Sequence, residues 1–157
     1  MDSIKLVLAI VASKRWEVHH KDVKSEFLHG ELQEEIYMQQ PKIFQEDHFL
    51  ICSLKKSRYR LKQTPRAWYA KMNNFLLSLD FERCKYDPYE YLKHLNESIN
   101  IIVLYVDDFF ITVSCIADIG SINSSFHKVF SMIGLGLLKQ FLGLDIEQYD
   151  AGIKVNQ

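Results

Sequence analysis

Three aspartates carry the chemistry this 157-residue sequence offers. Asp107 and Asp108 stand side by side in NIIVLYVDDFFITV, the run from Asn100 to Val113, which is otherwise largely apolar or aromatic. An ionised carboxylate without a partner is very costly to bury, so an adjacent pair in such a run needs solvent or a counter-charge. Two readings stay open on these residues alone. One is a solvent-facing hairpin turn, where Asp is a common residue. The other is a site for a hard divalent cation such as Mg²⁺, which takes carboxylate oxygens and offsets their repulsion. Asp22, near the end of WEVHHKDV (Trp16–Val23), is the third candidate. Alone it is an ordinary strand-end aspartate, and spacing along the chain does not bring it to Asp107.

A second concentration of chemistry is LKKSRYRLKQTPRAWY, Leu54–Tyr69, with Lys55, Lys56, Arg58, Arg60, Lys62 and Arg66 among tyrosines and a tryptophan. Cations interleaved with aromatics suit phosphates and stacked bases. A solvated loop leading into a helix is the plain alternative. No lipid anchor accompanies the basic run, which argues against a membrane patch. The formal net charge is only -1, so any affinity for nucleic acid is local rather than global. Cys52, Cys84 and Cys115 are widely spaced and form no ligand motif, which suggests neither a disulfide framework nor a zinc site. A reduced, intracellular setting is the expectation.

The elements that must position these groups follow from periodicity. Ile4, Val7, Leu8 and Val11 recur at helical spacing, with Asp2 or Ser3 as the expected cap. Trp16–Val23 reads as a strand, and Ser25–Leu32 as a short helix or turn. Glu35–Gln39 and Phe49–Leu54 read as a hairpin. Thr64 and Pro65 suit the cap and first position of a helix, whose apolar face is Trp68, Met72, Phe75, Leu76 and Leu79. Tyr89–Lys93 and Ile99–Val106 form a second hairpin, continued by Phe109–Val113. Asp118–Phe130 looks helical, and Phe141–Gln148 with Ile153–Val155 forms a last hairpin. Helices mixed with antiparallel hairpins indicate an α+β fold.

Four segments together resemble the reverse transcriptases of copia-type retrotransposons. YVDDFFI (Tyr105–Ile111) resembles the YxDD box. KDVKSEFLHGELQEEIYMQQP (Lys21–Pro41) is similar to the segment carrying the first catalytic aspartate. LKKSRYRLKQTPRAWY and FLGLDI (Phe141–Ile146) look like the segments found in corresponding places, and the order agrees along nearly the whole chain. The resemblance implies the palm, with part of the fingers, of the right-hand polymerase fold: an antiparallel sheet packed with helices. It implies one partial domain over residues 1–157, with the palm core from about residue 14 and most of the fingers, the thumb and RNase H outside it.

Carried over residue by residue, Asp22 and Asp107 would bind two Mg²⁺ ions with support from Asp108. Phe27 would exclude a ribose 2′-hydroxyl, Tyr105 would pack near the primer end, and Lys62 would meet the nucleotide. Lys55, Lys56 and Arg66, with Leu142 and Gly143 in the segment like the primer grip, would contact nucleic acid. Implied partners are an RNA or DNA template with its primer, deoxynucleoside triphosphates and the remaining polyprotein segments, without a membrane. Glu26 stands where the family carries a small alanine, and Arg60 where it carries glycine. Arg58 replaces a leucine, and Ile133 and Gly134 replace a lysine and an aspartate. A carboxylate beside a triphosphate pocket repels its ligand, and arginine lacks glycine's backbone freedom. The expectation is therefore a degenerate fragment that is inactive as an isolated chain. A non-catalytic nucleic-acid-binding remnant and an inert pseudogene product are the alternatives.

Overall fold

The computed structural model describes residues 2–24, 31–44, 49–58, 61–106, 108–150 and 152–156. It divides into two compact units, Met1–Lys24 with Leu76–Gln157, and Ser25–Phe75. In chain order the elements are α1 (Asp2–Lys14), β1 (Val18–Val23), β2 (Glu31–Gln39), a 3-10 turn (Lys42–Phe44), β3 (Ile51–Lys56), α2 (Thr64–Ser78), β4 (Glu82–Arg83), β5 (Glu90–Leu95), β6 (Ser98–Tyr105), β7 (Asp108–Val113), α3 (Ala117–His127), β8 (Met132–Leu137), β9 (Gln140–Phe141), β10 (Leu144–Tyr149) and β11 (Gly152–Asn156). The fold is mixed α and β with antiparallel sheets.

The first unit is built on a six-stranded sheet in the order β4-β5-β6-β7-β1-β8, with a three-stranded sheet β11-β10-β9 beside it. Its central strands bury both faces, which is why β6 and β7 are written as nearly continuous apolar runs. On one face Val18, Ile101, Val103 and Phe110 share a core with Ile4, Val7, Leu8 and Val11 of α1, and with Phe141, Leu144 and Ile146. On the other, Phe109 stacks on Phe126 of α3 at 5.2 Å.

Helix α1 ends in a way that aims β1. Arg15 takes a left-handed φ of +58°, its N–H donates to the Ala12 carbonyl, and that of Trp16 donates to the Val11 carbonyl. This is the paired bonding of a Schellman stop. The Trp16 ring packs against the core, and the chain turns directly into the strand that carries Asp22. The expected cap is different in kind. The helix already includes Asp2 and Ser3, and the Ser3 hydroxyl donates to Asp87 Oδ2.

Glu90 is buried beside this contact. Burial first, then the charge of Asp87, raises its carboxyl pKa, opposed by hydrogen bonds from Ser3 and Cys84. A raised carboxyl pKa means that the folded chain holds the proton more tightly than the unfolded chain. The contribution of Glu90 to stability is therefore greatest below the ordinary carboxylate range and declines as pH rises through it to the raised value. Glu90→Gln is expected to flatten that decline and to raise the melting temperature near neutral pH. Thermal scans across the acid range check this.

The second unit pairs β2 with β3, setting Ile36 opposite Leu54 and Met38 opposite Cys52. The strands run later or longer than expected: β3 is Ile51–Lys56, and Glu31 and Leu32 belong to β2 rather than to a helix or turn. Residues 25–30 lie outside the described residues. At the start of α2, the Thr64 hydroxyl donates to the Arg58 carbonyl at 2.6 Å. Trp68, Met72 and Leu76, four residues apart, are its buried stripe. Strand β8 was not anticipated by periodicity. Gly134 and Gly136 interrupt its pattern, and its register with β1 shifts between His20 and Lys21.

Candidate active site

The strand register brings together what the sequence keeps apart. Asp22 on β1 lies opposite Asp108 on β7, and Asp108 lies opposite Tyr105 on β6. Directly opposed residues of antiparallel strands keep their Cβ atoms about 4.5–5.5 Å apart and share a face. Three rows therefore cross β6, β7 and β1. Ile101, Thr112 and Val18 form the deepest, Val103, Phe110 and His20 the next, and Tyr105, Asp108 and Asp22 the rim. Phe110 is fully buried, whereas the Asp108 side chain is 47% exposed. The carboxylates thus escape the cost of burial because the apolar runs stop one row short of them.

The turn that presents this rim is strained. The register leaves two residues, Val106 and Asp107, between Tyr105 and Asp108. Val106 has φ +58°, and Asp107 lies outside the described residues. Two-residue hairpin turns need left-handed residues to match strand twist. The β5–β6 turn meets this with Asn96 at φ +51°, an ordinary choice. A β-branched valine in the same region is costly, and such strain gathers at functional sites. Val106→Asn is expected to raise the unfolding free energy by about 1 kcal/mol, readable in denaturant titrations.

A like device stands at the other named turn. Leu142 and Gly143 have φ +52° and +77°, and they connect Phe141 to its partner Leu144. Both therefore have the sign required by a type I′ turn. The Leu142 side chain packs against the core, which offsets the strain of its backbone.

One residue in the row below the rim was missed by reasoning from sequence. His20 Nε2 lies 3.2 Å from Asp108 Oδ1, diagonally across the β1–β7 pair. The only signal was its place two residues before Asp22, on the same strand face. On the opposite face Lys21 is partly buried, and burial draws its ammonium below the ordinary value. Its Nζ leaves little room at Gly134, where an added Cβ would come within 3.2 Å of it.

Lys55, Lys56, Lys62 and Arg66 are exposed, all on the second unit. Phe27, with Glu26 and Arg60, lies outside the described residues. Among the described residues no three His, Cys, Asp or Glu side chains gather as a cation site. Asp22 and Asp108 nevertheless supply the oxygen donors that a hard divalent ion takes, and a complete set needs a further donor. Cys52, Cys84 and Cys115 are free thiols. Among the described residues no helix is long and apolar enough to cross a membrane.

Comparison with known proteins adds the family. The model for "Reverse transcriptase (RNA-dependent DNA polymerase)" matches residues 1–157. The chain is 41% identical over 150 residues to the "Retrovirus-related Pol polyprotein from transposon TNT 1-94" of Nicotiana tabacum, covering 93% of this chain. It is 31% identical over 157 residues to the Pol polyprotein from transposon RE1 of Arabidopsis thaliana, covering 99% of this chain. The chain spans 11% of the length of each of these relatives. No solved structure matches it significantly.

Proposed function

From a chain that belongs to the reverse transcriptase (RNA-dependent DNA polymerase) family, a domain fragment of a copia-type retrotransposon Pol polyprotein, we infer the catalytic palm of an RNA-directed DNA polymerase. The single observation that carries this is the Asp22–Asp108 pairing at the exposed rim of a buried sheet. The six-stranded unit is the palm, and the β2–β3 unit is part of the fingers.

In this proposal Asp22 and Asp107 hold two Mg²⁺ ions, and Asp108 supports them. Bound there, the ions supply Lewis-acid chemistry, activating a primer 3′-hydroxyl and steadying a pyrophosphate leaving group. The residues themselves bind and orient. The buried Phe110 row fixes the backbone of the strand ends from which Asp22 and Asp108 project. Tyr105, in the same row, packs near the primer end, and Leu142 and Gly143 border the primer. Phe27 selects deoxynucleotides by excluding a 2′-hydroxyl. Lys62 meets the triphosphate, and Lys55, Lys56 and Arg66 neutralise template and primer phosphates.

The exposed lysines also favour a second reading, a non-catalytic remnant that binds nucleic acid. One experiment addresses both: binding and Mg²⁺-dependent extension of a primer annealed to RNA. Binding is expected to weaken with salt and on replacing Lys55, Lys56 and Lys62 with Ala. Extension by the isolated chain is expected at background, because the whole polymerase's activity calls on the remaining polyprotein segments. Robust extension abolished by Asp108→Asn would show the isolated chain to be an active enzyme. Failure to bind the hybrid at low salt would remove both readings.

A further inference from the structure

His20 has no role in the carboxylate chemistry described above, yet its side chain is held against it. Its side chain is only 15% exposed. Its ring and that of Phe141 make a T-shaped contact at a centroid distance of 6.4 Å and an angle of 84°. Phe141 in turn meets Phe110 at 5.0 Å and 80°, so the imidazole stands on a packed aromatic floor. The register gives it Phe110 as direct neighbour and Asp108 as diagonal neighbour. An ionised carboxylate only accepts hydrogen bonds, so it is Nε2–H that donates to Asp108 Oδ1 across 3.2 Å.

We propose that His20 is a positioning residue for Asp108. A carboxylate on a half-exposed strand end rotates freely about its side-chain bonds. The imidazole donor engages Oδ1 and thereby leaves Oδ2 to be offered to a cation. Fixing the carboxylate before binding removes an ordering cost that the cation would otherwise bear. Outer partners that orient metal-binding groups in this way commonly account for 10–100-fold in affinity. The role belongs to this chain's own strand geometry: a donor one row below the rim, two residues before Asp22 and diagonal to Asp108. The inference rests on the carboxylates binding a divalent ion at all.

The test uses Mn²⁺ alone as the probe, with affinity read from the loss of the free-ion electron spin resonance signal. Two variants separate the donor from the packing. His20→Phe keeps a ring on Phe141 without an N–H, and His20→Gln keeps a donor without the ring. His20→Phe is expected to weaken Mn²⁺ binding roughly 10–100-fold, with a cooperative melt retained. His20→Gln is expected to remain near the wild-type affinity. Equal affinity of wild type and His20→Phe would overturn the role of His20 and leave the carboxylate site standing. Weakening of both variants alike would also overturn it, since packing rather than the donor would then matter. Absence of Mn²⁺ binding by the wild type, matched by Asp22→Asn, would overturn the carboxylate reading and this inference with it.

Discussion

Replacing Phe110 with Ala is expected to lower the unfolding free energy by about 3–5 kcal/mol. The residue is fully buried and shares its core with α1, β6 and the three-stranded sheet. Its edge-to-face contact with Phe141 adds to the burial term. Its neighbours belong to strands held by backbone ladders on both sides, so they close the resulting cavity only in part. Globular domains have roughly 5–15 kcal/mol to lose, so the variant is expected to sit near its unfolding threshold at ordinary temperature. Urea titration should show a lower midpoint with an unchanged slope. Phe110→Leu should recover most of the loss. A cost below about 1 kcal/mol would mean that the apolar row under the carboxylates does not anchor them.

Asp22→Asn is expected to have opposite effects with and without Mg²⁺. Like charges directly opposed across strands destabilise a sheet, and Asp22 opposes Asp108. Without the cation, the substitution should therefore leave stability unchanged or raise it by up to about 1 kcal/mol. With Mg²⁺ at about ten times its dissociation constant, the wild type gains about 1.4 kcal/mol by mass action, and the variant gains nothing. The measurement is the melting temperature of both chains, with a chelator and with Mg²⁺. Asp108→Asn should behave likewise, although its amide oxygen still accepts from His20. Parallel Mg²⁺ shifts in all three chains would place the binding elsewhere.

Much of the scaffold was legible because burial writes itself into sequence. The central strands β6 and β7 lie between two covered faces and read as apolar runs, in which Asp107 and Asp108 stand out as exceptions. Helices α1 and α2 showed their buried stripes at spacings of three and four. What stayed hidden depends on partners distant in the chain. The Ser3 and Thr64 hydroxyls suit helix caps, but they donate to Asp87 and to the Arg58 carbonyl. Strand β8 hides behind two glycines, and its pairing with β1 supplies the order that its propensity lacks. The division into two units left no linker-like composition to read.

The site was legible in part. Each aspartate was visible as a residue type, and the likeness to a polymerase family supplied the grouping that spacing could not. The register supplied the physical means by setting Asp22 against Asp108. The bond between His20 and Asp108 spans 88 residues of sequence. It follows from a diagonal across a strand pair, which no local pattern encodes. Val106 is similar: a β-branched residue in a run of strand formers gives no warning that it must turn the chain with a positive φ.

The most direct test of the central claim is paramagnetic broadening of backbone amide signals on titration with Mn²⁺. The carboxylate site predicts that broadening begins at the end of β1 around Asp22 and at the β6–β7 turn from Tyr105 to Asp108, that β5 and α3 lose signal later, and that Asp22→Asn removes the effect. Broadening centred on another acidic group such as Asp87 and Glu90, or none at concentrations that saturate ordinary carboxylate sites, would contradict it.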